Sequence, residues 1–411
     1  MSLGVYWDGE EVGRLERLGE RTREYSFRYS EDAKRPISLS LPLDQQRFSS
    51  AESRPFFEAL LPEGAVREQI ASQLKLAASD SFGLLSELGR DCAGALQIID
   101  AKRMSEPPSV RWLDANELSA LVEELPRHPL GIHRADEHLR LSLAGVQHKA
   151  VLVRDGGGNF GKPLDGMASS HILKPEPPNS QYPGLATNEY FCMRLAALSG
   201  LSCATVELLT VAHRPCVVVE RFDRELVTSP HRRVHQEDLC QALGLTPDFK
   251  YQRSGWRLPS YGALAEVLNQ HSTRPGLDRL AGAQAAIFNF LVGNADAHAK
   301  NISLLHTRGG VRLAPLYDIV SAAAYPEIST ELALSIGDEL DPNTITSIHW
   351  SDLAVDFGLN VEAFRRIRSR LTDTIATDAS RLSNEAHAQG WHHPCIDSIL
   401  DTIADRSPRV S

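Results

Sequence analysis

The first fifty residues alternate apolar and polar positions in the manner of half-buried strands. Leu3–Trp7 and Glu11–Glu16 flank Asp8-Gly9, a dipeptide suited to a two-residue hairpin turn. Tyr25–Ser30 and Ile37–Leu41 read as two further strands. Helical stretches follow over Arg54–Leu61 and Ala65–Leu76, broken by Pro62 and Gly64. Ser81–Leu88 predicts a third helix, leading into the apolar strand Ala93–Ile99. The polar, Pro-rich run Lys102-Arg103-Met104-Ser105-Glu106-Pro107-Pro108-Ser109 predicts a linker. Strands return at His138–Leu143, Lys149–Val153, His171–Lys174, Thr205–Val211 and Cys216–Arg221, with one helix, Ala186–Ser199, among them. From Gln236 onward the pattern is mainly helical, clearest at Ala263–Leu268 and Leu277–Val292, with short β pieces at Ile302–Leu305 and Val311–Leu313. The fold class is therefore α+β. It divides into a small β-rich N-terminal domain (1–105), a β lobe with one helix (106–235) and a mainly α-helical C-terminal lobe (236–411).

The chain has 411 residues, with 43 Lys+Arg against 53 Asp+Glu and a formal charge of −10. That excess argues against capture of nucleic acid by the chain as a whole, which needs clustered Lys and Arg. Only eight of the cations are lysines: 34, 75, 102, 149, 162, 174, 250 and 300. A lysine is a compact charge suited to one phosphate, so their positions are informative. The six cysteines contain no C-x-x-C pair and read as reduced thiols. The acidic N-terminus lacks the features of a signal peptide, and no run approaches a membrane span, so the expected location is the cytoplasm.

Gly156-Gly157-Gly158-Asn159-Phe160-Gly161-Lys162-Pro163 fits G-x-x-x-x-G-K, but Pro163 replaces the magnesium-binding hydroxyl and no helix follows. It reads as a glycine-rich hairpin. The stronger signal is Asn294-Ala295-Asp296-Ala297-His298-Ala299-Lys300-Asn301, directly after an apolar helix. Asp296 and Asn301 have the D-x-x-x-x-N spacing of a kinase catalytic loop, in which one side chain takes the nucleophile's proton and the other reaches magnesium. Seventeen residues later, Leu316-Tyr317-Asp318-Ile319 supplies a second acid just past a strand. The glycine of the usual Asp-Phe-Gly triplet is absent. Lys174 ends a strand, as the phosphate-binding lysine of kinases does, and Glu189 in the following helix is a candidate partner. Lys149 closes the small-residue loop Ala144-Gly145-Val146-Gln147-His148, whose backbone N–H groups can meet phosphate oxygens. Backbone at Glu220–Phe222, with Phe222 against the ring, is a candidate adenine contact.

These motifs, in this order, resemble HipA-type toxin kinases of bacterial type II toxin–antitoxin systems. The resemblance rests on Ser142–Lys149, His171–Pro175, Asn188-Glu189-Tyr190, Val219–Arg224, Gln236–Gln241, Asp296–Asn301 and Leu316–Ile319, with Ser81-Phe82-Gly83-Leu84-Leu85 further upstream. It implies a kinase-like N-lobe and helical C-lobe, and an ATP- and Mg2+-dependent serine/threonine protein kinase. By motif, Asp296 is the catalytic base, and Asn301 and Asp318 bind magnesium. Lys174 and Ala144, Gly145, Val146, Gln147, His148 and Lys149 hold phosphates. Glu220, Arg221 and Phe222 take adenine, and His298, Ala299, Lys300, Asn301, Tyr317 and Asp318 complete the nucleotide site. Ser142 aligns with a serine that such kinases phosphorylate on themselves, silencing the enzyme. The family's implied partners are a small helix-turn-helix DNA-binding antitoxin (HipB-like), which would make most of the contact to DNA, and a protein substrate such as an aminoacyl-tRNA synthetase.

Two departures stand out. His148 replaces an acid found in many relatives, and Ser321–Trp350 has no Lys or Arg, which bears on the substrate. Trp391-His392-His393-Pro394-Cys395 carries metal-capable groups without a further cluster at ligand spacing, and Phe364–Arg370 reads as a solvated basic helix face. The competing readings are a small-molecule phosphotransferase and a nucleotide-binding co-repressor without kinase activity. Intact Asp296, Asn301, Asp318 and Lys174 disfavour the second.

Overall fold

The computed structural model describes residues 1–19, 23–100, 107–132, 147–178, 181–226 and 231–410. The strand expected over 138–143, Ser142, Ala144, Gly145, Val146 and most of the expected linker lie outside them. The chain divides into two compact units. The first is Met1–Pro175, Thr210–Arg214 and Val218–Asp248, and the second is Glu176–Leu209, Pro215–Val217 and Phe249–Ser411.

In the first unit, β1 (Ser2–Trp7) and β2 (Glu10–Arg17) pair antiparallel around Asp8-Gly9. Both turn residues have positive φ (53° and 82°), the conformation that a two-residue hairpin needs and that Asp and Gly tolerate. With β3 (Tyr25–Tyr29), β4 (Arg47–Phe48) and β5 (Leu96–Ile99) they form a five-stranded sheet in the order β4-β3-β2-β1-β5. Alternation places Tyr25, Phe27 and Tyr29 on the buried face. Three helices share that core: α1 (Ser50–Ala59), α2 (Gly64–Leu74) and α3 (Ser81–Leu88). Helix α1 is started by a capping box between Ser49 and Glu52. Phe27, Phe56, Phe57 and Phe82 are wholly buried, each contributing about 1.5–3 kcal/mol.

The strand expected at Ile37–Leu41 is absent. Ile37 and Leu41 are buried as the pattern implies, but the segment forms only a bridge between Ser38 and Leu41. Side chains take over the role of a ladder here: the Ile37 amide donates to Tyr29 Oη (2.8 Å) and the Leu39 amide to the Glu237 carboxylate (3.2 Å).

A second sheet follows. It contains β6 (Ser109–Trp112), β7 (Ala150–Arg154), β8 (Phe160–Leu164), β9 (His171–Pro175), β10 (Val206–Val211) and β11 (Arg214–Glu220), in the order β10-β11-β9-β7-β8-β6. Strands β10 and β11 are shared out between the two units. Helix α4 (Ala115–Glu124) follows β6, and α5 (Leu185–Leu198) belongs to the second unit. The glycine run is the β7–β8 turn, held by the Asp155 carboxylate, which accepts from the amides of Gly157 (2.9 Å) and Asn159 (2.8 Å). Strands β12 (Arg224–Glu225), β13 (Arg232–Arg233) and β14 (His235–Asp238) and the single turn α6 (Leu239–Ala242) complete the first unit.

Two carboxylates and three guanidiniums meet in the interior of that unit. Asp91 accepts from Arg224 Nη2 (2.9 Å), Arg233 Nη2 (3.0 Å) and Ser169 Oγ (2.5 Å), with Arg221 Nη1 at 3.6 Å. Asp223 accepts two bonds from Arg221 (2.9 and 2.7 Å) and one from the Gly94 amide (2.7 Å). Burial alone would raise the Asp91 carboxyl, but the three arginines outweigh it and hold the group far below the usual carboxylate range.

Besides its shares of β10 and β11, the second unit carries the hairpin β15 (Ser303–Thr307) and β16 (Gly310–Leu313) and is otherwise mainly helical. Its helices are α7 (Tyr261–His271), α8 (Pro275–Val292), α9 (Ser347–Asp356), α10 (Val361–Gln389) and α11 (Pro394–Val410), besides α5. Trp350 is wholly buried, lies edge-on to Phe290 at 5.3 Å and donates its indole N–H to the Arg409 carbonyl (2.9 Å). The basic run on α10 is only partly solvated: Arg365, Arg366 and Arg370 are exposed, whereas Arg368 is buried 5.6 Å over the Trp350 ring. Among the described residues, no helix is long and apolar enough to cross a membrane.

Candidate active site

The segment Asn294–Asn301 begins where α8 must stop. Gly293 caps the helix with φ 76°, and a Cβ there would lie 2.6 Å from the Ala323 methyl. Only glycine allows both the turn and that approach. The Gly293 carbonyl in turn accepts from the Ala322 amide (2.9 Å), tying the start of the loop to the chain just past Asp318.

Within the loop, side chains replace regular structure. Asn294 Oδ1 accepts from the Asp296 amide (3.0 Å), while its Nδ2 donates to Asn289 Oδ1 (2.9 Å). Asn301 Nδ2 donates to the Asp296 carbonyl (2.9 Å), and the His298 amide donates to the same carbonyl (2.8 Å). Asp296 and Asn301 are thus locked together through the Asp296 backbone, and the Asp296 carboxylate is more than half exposed. His298, Ala299 and Lys300 are buried beneath it, with His298 Nε2 at 3.8 Å from Asp296 Oδ1.

The second acid is fixed to the same loop. Tyr317 Oη donates to the Lys300 carbonyl (2.7 Å) and lies 2.7 Å from Ser303 Oγ. Leu316 makes a parallel bridge to Cys203, its amide donating to the Ser202 carbonyl (2.8 Å). Asp318 then sits at φ 55°, a left-handed conformation that Asp adopts more readily than most side chains. Asn188 on α5 grips the outgoing chain, accepting from the Ser321 amide (2.8 Å) and donating to its carbonyl (3.0 Å).

The first unit holds the phosphate and adenine candidates, whereas Glu189 is buried on α5 of the second unit. Leu173 of β9 pairs with Ala150 of β7, so Lys174 and Lys149 occupy neighbouring positions at one end of that ladder, both buried. Gln147 and His148 are half-buried just before them, and burial pushes the His148 imidazole below its ordinary value, favouring the neutral ring. Glu220 ends β11 and Phe222 follows, both half-buried. Arg221 points into the ionic cluster, and its amide donates to the Ser170 carbonyl (2.9 Å).

One member was not legible in the sequence. Tyr251 Oη donates to Asp296 Oδ1, and its ring stands edge-on to His298 at 5.0 Å. The neighbouring Lys250 carbonyl accepts from the Ala299 amide (3.0 Å). The contact spans 45 residues and comes from a polar segment without periodicity, so no local pattern announces it.

A D-x-x-x-x-N loop clamped to a following aspartate, with strand-end lysines elsewhere in the chain, is the equipment of the kinase class. The HipA-like C-terminal domain family matches residues 141–379, and the HipA N-terminal domain family matches residues 3–99. The chain belongs to the HipA family. It is 32% identical to the serine/threonine-protein kinase toxin HipA of Shewanella oneidensis over 83% of this chain and 80% of that one. It is 38% identical to the protein Y4mE of Sinorhizobium fredii over 99% of this chain and 98% of its relative. Its fold matches HipA in a complex of Shewanella oneidensis HipA, HipB and operator DNA, with a TM-score of 0.84 and 28% identity, covering 99% of this chain and 98% of that one.

Proposed function

We propose that this kinase is the toxin of a toxin–antitoxin module in the cytoplasm, using ATP and magnesium to phosphorylate serine or threonine on a protein. A translation component such as an aminoacyl-tRNA synthetase is the expected substrate. The observation that carries the reading is the Asp296–Asn301 loop, which presents an outward carboxylate on a backbone fixed by its own asparagine. Asp296 takes the proton of the acceptor hydroxyl as that oxygen attacks the γ-phosphorus and ADP leaves. Lys149 and Lys174, adjacent at the end of one ladder, suit a polyphosphate, and Glu220–Phe222 suits adenine. Asn301 and Asp318 fit magnesium, since both offer hard oxygen donors. The Asn301 amide nitrogen is committed to the Asp296 carbonyl, which leaves Oδ1 for a cation. Bound there, magnesium neutralises charge on the phosphates.

The Shewanella HipA was solved with HipB and operator DNA. A HipB-like helix-turn-helix antitoxin is accordingly the proposed partner here, with DNA reached chiefly through it. Ser142 is the proposed site of self-inhibition: a phosphate carries about −1.5 to −2 charges and would compete with ATP for the neighbouring phosphate loop.

The test is incubation with Mg-ATP followed by mass spectrometry of the tryptic peptide carrying Ser142 and of proteins in a cell lysate. Phosphate on Ser142 and on a lysate protein, both abolished in Asp296→Gln, is the expected result. Transfer to metabolites alone would replace this reading with a small-molecule phosphotransferase, and ATP binding with no transfer would replace it with a co-repressor.

Tyr251 adds a second prediction. Its hydroxyl occupies the carboxylate oxygen that an acceptor hydroxyl must reach, and at this exposed pair the bond is worth about 1.5 kcal/mol at most, the low end for a hydrogen bond to a charged group. Tyr251→Phe should therefore raise kcat/KM for the acceptor by up to about tenfold, with KM for ATP unchanged. A fall in kcat would show instead that the hydroxyl holds Asp296 in its working position.

A further inference from the structure

Sequence spacing offers no partner for the metal-capable groups after Trp391, but the fold brings two to the same corner. Helix α10 ends in Gly390 at φ 76°, and the chain turns back into α11 within four residues. His387 lies in the last turn of α10, His392 in the connection, and Asp397 in the first turn of α11. One ligand atom from each lies within 4.8 Å of the other two. The two imidazoles stack with centroids 3.6 Å apart and planes 14° from parallel, and His392 Nε2 is 3.1 Å from Asp397 Oδ1. His387 and Asp397 are exposed and His392 half-buried, so a cation can reach all three.

The neighbouring groups are used otherwise. His393 Nδ1 accepts from the Cys395 amide (3.2 Å), and buried Cys395 directs its thiol at the Gly184 carbonyl (3.6 Å). Burial pushes that thiol up to about 12, which makes it a poor source of thiolate.

We propose that the α10–α11 corner binds a divalent transition-metal ion, best zinc, through His387, His392 and Asp397, with water completing a tetrahedron. Two imidazoles and a carboxylate are a borderline donor set that selects late first-row metals over magnesium. Metal–ligand bonds of about 2.0–2.2 Å set tetrahedral ligand separations near 3.4 Å, which small rotations of the two exposed side chains achieve. The ion would displace the proton between His392 and Asp397 and staple the long helix to the last one. The site is separate from the Asp296 loop and does not depend on the proposed activity.

The full chain, with its phosphotransfer residues intact, is titrated with zinc chloride in the presence of excess magnesium by isothermal calorimetry, alongside thermal melting. The expected result is one saturable zinc per chain that raises Tm, with His387→Ala and His392→Ala each weakening binding at least about tenfold, as loss of a ligand should by comparison with outer-shell changes. His387 is exposed, so its variant should melt like the parent without zinc and keeps the test valid if His392→Ala folds poorly. The proposal is overturned if the parent shows no saturable binding, or if the His387→Ala and His392→Ala variants bind zinc as tightly as the parent.

Discussion

Asp296→Asn is expected to lower phosphotransfer by about 10²- to 10⁴-fold, the range that one positioned general base supplies. The substitution removes the proposed proton acceptor and little else. The loop is held by the Asp296 amide and carbonyl, which bond to Asn294 Oδ1, Asn301 Nδ2 and the His298 amide, and none of these involves the carboxylate. The amide oxygen can still accept from Tyr251. Nucleotide affinity, read by fluorescence of a trinitrophenyl-ATP analogue, should therefore stay within a factor of about two, a change of under 0.5 kcal/mol. A rate close to that of the parent would remove Asp296 from the proton-transfer role. An equal loss of rate and of nucleotide affinity would point to collapse of the loop.

The largest stability effect is expected at Asp91. Truncation to Ala leaves buried Arg224 and half-buried Arg233 with one fewer counter-charge, and breaking such a buried pair costs about 3–5 kcal/mol. Urea unfolding should show the midpoint falling with little change in slope. The same cluster has a pH signature. Because the Asp91 carboxyl is held below its ordinary value of 3.8 in the folded protein, the unfolded chain binds the proton more readily. Its stabilisation is therefore fully present above about pH 5 and drains away as the pH falls through and below 4. The Asp91→Ala variant should lose part of that acid dependence, measured as the difference in unfolding free energy between pH 6 and pH 3.5. An unchanged slope would mean that other carboxylates govern acid unfolding.

Much of the architecture was legible because its signals are local. The Asp8-Gly9 hairpin, the helix Ser81–Leu88, whose expected bounds match α3, and the strand carrying Lys174 each announce themselves by periodicity and turn chemistry. The failures have different causes. Ile37–Leu41 has the apolar positions of a strand, but its backbone is satisfied by Tyr29 and Glu237, and Glu237 lies some 200 residues away. Strand β6 went unpredicted because it is an exposed edge with no buried face to impose alternation. In the candidate site, Asp296, Asn301 and Asp318 stood out in the sequence because their residue types and short spacing form a local pattern. Tyr251 did not show, and Asn188 showed only as part of a motif and not by its hold on Ser321, since each acts through a contact more than forty residues distant.

The ionic cluster also bears on how the chain is made. Asp91 is synthesised 133 residues before Arg224 and 142 before Arg233. At about 5–20 residues per second, the ribosome needs on the order of ten seconds to supply those arginines after Asp91 has been added. The N-terminal sheet can pair in that interval, since β1, β2, β3 and β5 all precede residue 100. Asp91 must stay hydrated until its partners emerge, so the interior face around it closes late. A nascent chain halted between residues 100 and 220 would therefore display that unsealed face, and with it a surface for chaperones, while its outer strands are already formed.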